Sequence, residues 1–151
     1  MLIYLIIIAV LVTIDQMTKL IVMRNMEVGD SIEVIKDFFY FTSVRNPGAA
    51  WGRFANQMVF FYLITLVAIG IFGYFLFKQG DFQNKKLYTM SILFIISGTI
   101  GNFIDRILYK EVVDFFHFYI INYSFPVFNF ADIFLTLGTI GFGISVIIFD
   151  H

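Results

Sequence analysis

The chain has 151 residues, 60% of them hydrophobic and 14% charged, with a mean hydropathy of +0.87; soluble domains are nearer roughly 45–50% apolar and 25% charged, so the composition places it among membrane proteins. A net charge of -1, without polybasic or polyacidic runs, argues against nucleic acid as a partner. The absence of cysteine excludes disulfides, thiol nucleophiles and thiolate metal sites, and two histidines, His117 and His151, are too few for a His-based metal centre.

The first predicted element is an apolar run over residues 1–23, long enough to cross a hydrocarbon core as a helix. It lacks a basic leading region and a small-x-small cleavage site, so it reads as a retained span rather than a cleaved leader. Asp15 and Lys19 sit in its second half, at i and i+4. Residues 24–56 follow as an outer β segment. They are aromatic and β-branched enough at 32–35 and 38–44 to suggest two short strands, and "RNPGAAWG" then reads as a turn.

A second span covers residues 57–77 and a third 87–107. The short loop between them, 78–86, carries Lys78, Lys85 and Lys86, the densest basic short loop in the chain. It is expected on the cytoplasmic side. With four spans both termini are then cytoplasmic, and residues 24–56 and 108–128 lie outside. The fourth span covers residues 129–149. Glycine recurs in the spans, as at Gly98, Gly101, Gly138 and Gly141, where it lets membrane helices approach closely. The predicted fold is therefore an all-α membrane protein of four helices with a small extracytoplasmic sheet, residues 1–151 forming one domain.

This topology gathers the polar residues at one face. Asp15 and Lys19 lie in the outer half of the first span, Asn102, Asp105 and Arg106 end the third, and Asn129 and Asp132 open the fourth. Ionisable residues inside a membrane usually face a bundle interior and are functional candidates. Asp114 and Asp132 are eighteen positions apart in a greasy stretch. On one continuous helix they would stand roughly 27 Å apart. The breakers in "NYSFP" (Asn122, Ser124, Pro126) instead let the chain fold back and bring them together at the outer mouths of the third and fourth spans. Two such carboxylates in a low-dielectric site hold one shared proton, the chemistry of an aspartic protease.

Simpler roles fit the same residues. Asp132 suits the positive end of a helix, Asn129 suits an N-cap, and Asp114 suits a loop carboxylate. Asp15 and Lys19 suit an ion pair ordering one helix, and Asp105 and Arg106 suit interfacial charges. The same carboxylates also suit a small proton- or cation-coupled transporter, which would need polar groups at several depths. Spacing alone leaves these readings open.

The ordered motifs "DQMTK" (15–19), "RNPGAAWG" (45–52), "GNFIDR" (101–106), "VVDF" (112–115) and "FNFAD" (128–132) resemble those of the lipoprotein signal peptidases, also called signal peptidase II. The resemblance spans essentially the whole chain. It implies a bacterial membrane aspartic endopeptidase that cuts diacylglyceryl-modified prolipoproteins just before the lipidated cysteine, with water as nucleophile and no cofactor. It assigns the catalytic pair to Asp114 and Asp132. It gives supporting or substrate-binding roles to Asp15, Lys19, Asn46, Gly48, Asn102, Asp105, Arg106 and Asn129, and makes residues 50–56 a lid with Trp51 facing the site. Asp105 is left to pair with either Arg106 or Lys19. Phe115, Phe116, Tyr119 and Trp51 are expected in the interfacial aromatic belt, and His117 with them. Membrane lipids are expected partners, and a monomer is expected because the motifs can converge within one chain.

Overall fold

The computed structural model describes residues 1–48, 57–121 and 123–149. Four helices dominate it: α1 (Leu2–Asn25), α2 (Met58–Gln79), α3 (Lys86–Tyr109) and α4 (Phe130–Phe149). Each is long and apolar enough to cross a membrane, by length and composition. Leu2, Val59 and Ile147 are each more than 70% exposed on the bundle's outer face, as suits side chains whose solvent is lipid.

α3 is the central helix. Of its most apolar window 61% is buried, against 17% for α1 and for α2 and 28% for α4. Ile92 and Leu93 are fully enclosed, packed with Leu76, Tyr88 and Ile96. The tightest seam is α3 against α4. A Cβ at Gly98 would run into the carbonyl oxygen of Ala131, and one at Gly138 would stand 2.7 Å from the carbonyl of Ser91. Glycine is what permits this backbone contact.

The strands are β1 (Ser31–Ile35), β2 (Phe39–Asn46), β3 (Val112–Ile120) and β4 (Tyr123–Ser124), forming one antiparallel sheet in that order. Two strands within residues 24–56 match the expectation from the sequence. The 108–128 segment differs. Asp114 was expected to trail the third span at its mouth; it lies on β3 instead. α3 stops at Lys110, which takes a left-handed cap conformation (φ 62°) and returns its N–H to Arg106 O. The run "VVDFFHFYI" that follows is β-branched and aromatic, and pairs with β2 through Phe39↔Phe118, Phe41↔Phe116 and Val44↔Asp114. The two outer segments thus form one sheet.

Alternation on β3 turns Val113 and Phe115 into a core against Val22 of α1, and Asp114 to the opposite face. Phe115, expected in the aromatic belt, is only 2% exposed for this reason. His117 is also buried. It bridges Thr42 Oγ1 (3.0 Å) and Ser124 Oγ (2.9 Å), and Ser31 meets Thr42 at 2.8 Å, so a polar ladder crosses all four strands. Burial lowers the pKa of His117, which favours the neutral ring.

The sheet caps the end of the bundle where α1 and α3 finish and α4 begins. The start of α1 and the end of α2 meet at the other end, where Tyr4 donates to Gly80 O at 3.0 Å.

Candidate active site

Asp114 and Asp132 line one cavity of about 800 Å³ between the sheet and the helix ends. Asp114 comes from β3 and Asp132 from the first turn of α4. Asn46, Asn102 and Arg106 share its wall, which is otherwise largely apolar, with Phe128 and Leu135 among its members.

Asn129 joins the two carboxylates. It precedes α4, and its Oδ1 accepts the N–H of Asp132 at 3.0 Å. Asp132 Oδ2 in turn accepts the N–H of Asn129 at 3.2 Å. This reciprocal pair is a capping box, written here as Asn-x-x-Asp. With Oδ1 committed to the cap, Nδ2 is free to point across the cavity and donates to Asp114 Oδ1 at 2.7 Å. The capping role considered for Asn129 and its link to Asp114 are thus two ends of one amide.

Each aspartate has a second amide partner. Asn102 Nδ2 donates to Asp132 Oδ1 at 2.8 Å, and Asn46 Nδ2 to Asp114 Oδ2 at 3.1 Å. The turn after β2 sets the orientation of Asn46: Gly48 N–H donates to its Oδ1 at 3.0 Å, leaving the amino group to face Asp114. Burial, and then the neighbouring Asp132 charge, pushes the Asp114 carboxyl up to about 7, against the hydrogen bonds from Asn46 and Asn129.

Beneath this pair lies a buried ionic cluster. Lys19 Nζ is 2.9 Å from Asp15 Oδ2 and 2.9 Å from Asp105 Oδ2, with all three side chains at most 1% exposed. Asp105 therefore pairs with Lys19 and not with Arg106. Desolvating three charges is costly, and it is tolerable only when their remaining hydrogen-bonding capacity is filled. Asp15 Oδ1 accepts Ala131 N–H at 2.9 Å and Asp105 Oδ2 accepts Val113 N–H at 3.1 Å. Lys19 also donates to Asn102 Oδ1 at 3.1 Å. The bonds from the cluster to Ala131, Val113 and Asn102 thus each end on a residue adjacent to, or hydrogen-bonded to, Asp114 or Asp132.

Gln16 completes the cluster and was missed in the sequence. Its Nε2 reaches Asp15 Oδ2 (3.1 Å), Gly101 O (3.1 Å) and Asp105 Oδ1 (2.9 Å). The available signal was its i, i+3 spacing to Lys19, which puts both on one helix face. Arg106 sits at the cavity wall with its guanidinium 4.4 Å over the Phe61 ring. It donates to Gly48 O at 3.3 Å, and its Nε is a buried donor with no partner among the described residues. Trp51 and the remainder of the expected lid, residues 50–56, lie outside the described residues, as does Asn122.

No group of three or more His, Cys, Asp or Glu placed to hold a metal occurs among the described residues. The arrangement offers a carboxylate pair, amides that fix it, and an apolar cavity.

The model of the signal peptidase (SPase) II family matches residues 7–148. A lipoprotein signal peptidase of Listeria monocytogenes serotype 4a (strain HCC23) is 49% identical over 148 residues, covering 98% of this chain and 94% of that protein. One from Bacillus pumilus (strain SAFR-032) is 50% identical over 137 residues, covering 91% and 87%. Two solved bacterial membrane enzyme structures, determined in meso, superpose with TM-scores of 0.87 and 0.86 at 41% and 40% identity. They cover 95% and 98% of this chain, and 87% and 94% of their own. With the family model matched from the first helix to the last, this chain belongs to the signal peptidase II family.

Proposed function

We propose that this bacterial multi-pass membrane protein is an aspartic endopeptidase that removes the signal peptide from diacylglyceryl-modified prolipoproteins, cutting just before the lipidated cysteine. The observation that carries the reading is the pair Asp114 and Asp132, in one cavity and linked through Asn129. The family assignment supports the reaction class, and the names of the relatives support a lipoprotein substrate.

In this mechanism the pair holds one proton. The ionised carboxylate takes a proton from water as the water oxygen attacks the scissile carbonyl carbon. The protonated one gives its proton to the carbonyl oxygen. Collapse of the resulting diol breaks the C–N bond: the proton taken from water passes to the leaving amine, and one diol hydroxyl returns its proton to the other carboxylate, which restores the singly protonated pair. Asn46, Asn102 and Asn129 hold the carboxylates in place, and Arg106 lines the same cavity as a positive charge beside them. Gly48 anchors both Asn46 and Arg106. Lys19, Asp15 and Asp105 act as positioning residues.

The basic 78–86 loop supports cytoplasmic termini and a site at the extracytoplasmic face. The apolar cavity wall suits a substrate made of lipid and hydrophobic helix. All the named groups belong to one chain, which supports a monomer. Transport through the bundle lacks support: the buried charged residues Asp15, Lys19, Asp105 and Asp114 gather at the sheet end and form no path across it.

The test is cleavage in vitro of a diacylglyceryl-modified precursor beside its unlipidated twin. The expected result is cleavage of the lipidated precursor only, lost in Asp114→Asn and in Asp132→Asn. Equal cleavage of both precursors would overturn the lipid requirement, and full activity in either variant the dyad.

A further inference from the structure

The end of the bundle away from the sheet holds a second cavity, of about 210 Å³, which the proposed reaction does not use. It opens between the last turn of α2, the first turn of α3 and the last turns of α4. Aromatic rings wall it: Phe142 stacks on Phe75 with centroids 6.3 Å apart and lies 5.5 Å from Tyr88. Val146 and Ser145 close the α4 side, and the Ser145 hydroxyl is committed to Phe142 O at 2.7 Å. Phe75, Phe142 and Val146 thus give the cavity an apolar side, next to the polar groups of its other lining residues.

The rim is of opposite character. Gln79 and Lys85, both exposed, stand at the mouth. Lys85 Nζ lies 5.9 Å over the Tyr88 ring and makes no ion pair among the described residues. Lys78 and Lys86 add charge nearby. The local acid, Asp81, accepts from the N–H groups of Gln83 and Asn84 and from Asn84 Nδ2, and it feels the Lys85 charge without forming an ion pair with it. Lys85 is also the residue before α3, and no side chain caps that helix. Its first N–H groups thus carry an uncompensated partial positive charge at the same mouth.

We infer that this cavity binds an anionic phospholipid, its phosphate held by Lys85 and Gln79 beside the uncapped start of α3, and an acyl chain lying against Phe75, Phe142 and Val146. The placement agrees with depth. Lys85 and Gln79 are at the ends of membrane-length helices, where headgroup phosphates lie, while Phe75 and Phe142 are one or two turns deeper. Basic pockets between helices at this level are suited to such headgroups. A second copy of the chain is a poor occupant, because a two-fold contact would set lysine rim against lysine rim. The lipid is also distinct from the substrate's diacylglyceryl group. α3, roughly 36 Å long, separates the two cavities, so they face opposite leaflets.

The test is native mass spectrometry of the full chain from mixed micelles of phosphatidylglycerol and phosphatidylcholine, with thermal unfolding beside it. One phosphatidylglycerol should be retained in preference to phosphatidylcholine, and Lys85→Gln should cut retention about five-fold. Val146→Trp, which fills the cavity and keeps the charge, should cut it too. Both variants should keep parental precursor cleavage in phosphatidylcholine, which shows that they fold. Phosphatidylglycerol should raise the unfolding temperature and inorganic phosphate should not. Equal retention of the two lipids, unchanged retention in Lys85→Gln, or an equal shift with phosphate alone would overturn the proposal.

Discussion

Asn129 Nδ2 donates to Asp114 Oδ1 at 2.7 Å from the cap position of the helix that carries Asp132. One side chain thereby ends a strand-borne carboxylate's search for a partner and starts α4. The two jobs can be separated by substitution. Asn129→Ala should lose both: about 1 kcal/mol of stability from the cap, and about 100-fold in turnover from a displaced carboxylate. Asn129→Ser can still cap Asp132 N–H but cannot span to Asp114. It should recover the unfolding temperature and leave turnover low. Recovery of both by serine would mean that the bridge is idle.

The ionic cluster under the site predicts an asymmetric response. Lys19→Met leaves Asp15 and Asp105 buried without their cation, and breaking a buried pair costs about 3–5 kcal/mol. Adding Asp15→Asn and Asp105→Asn to the same chain removes the orphaned charges and should restore much of the loss. Thermal unfolding in detergent of the single and triple variants checks this. A triple variant no more stable than the single one would show that packing, not charge, dominates there.

Glycine substitutions should sort by what each Cβ meets. At Gly101 it would stand 2.5 Å from Asp15 Oδ2 and 3.1 Å from Ala131 Cβ, between the cluster and the start of α4. Gly101→Ala should therefore lower both stability and turnover. At Gly70 and Gly73 nothing lies within 4 Å. Alanine there should be neutral or stabilising by up to about 1 kcal/mol from helix propensity. Unfolding temperatures of the three variants decide it.

The helices were legible because a hydrocarbon core imposes its thickness on the chain: residues 57–77 and 129–149 were expected, and α2 spans Met58–Gln79 and α4 Phe130–Phe149. The grouping of Asp15, Lys19, Asn102, Asp105, Asn129 and Asp132 at one end followed from counting spans. What could not be read was register. Asp114 sits opposite Val44 across a bulge, a pairing set by contacts 70 residues apart, and local pattern is blind to it. The same holds for Asp105, whose choice of Lys19 over its neighbour Arg106 is a matter of helix packing. Gln16 was hidden for another reason: an amide beside an ion pair has no distinctive spacing of its own.

The raised carboxyl of Asp114 gives a prediction in which one substitution moves activity and stability in opposite directions. Its carboxyl is raised from the ordinary 3.8 to about 7, first by burial and then by Asp132. The folded state therefore holds this proton more tightly than the unfolded chain does. Stability from that proton is fully present below pH 3.8 and is lost as pH rises through about 7. Once the proton held by the pair is lost, no acid remains for the carbonyl oxygen, and cleavage of the lipidated precursor should fall as well. At low pH the second proton enters, the base is lost, and turnover falls again, so the profile is a bell belonging to the pair. Asp114→Asn removes the titrating group and keeps a side chain of the same shape. Turnover should drop by about 10²–10⁴-fold. The unfolding temperature at pH 8 should match or exceed the parent's, and its decline between pH 5 and 8 should flatten. An inactive variant that is also less stable at pH 8, with the parental slope intact, would place the stabilising proton elsewhere than on Asp114.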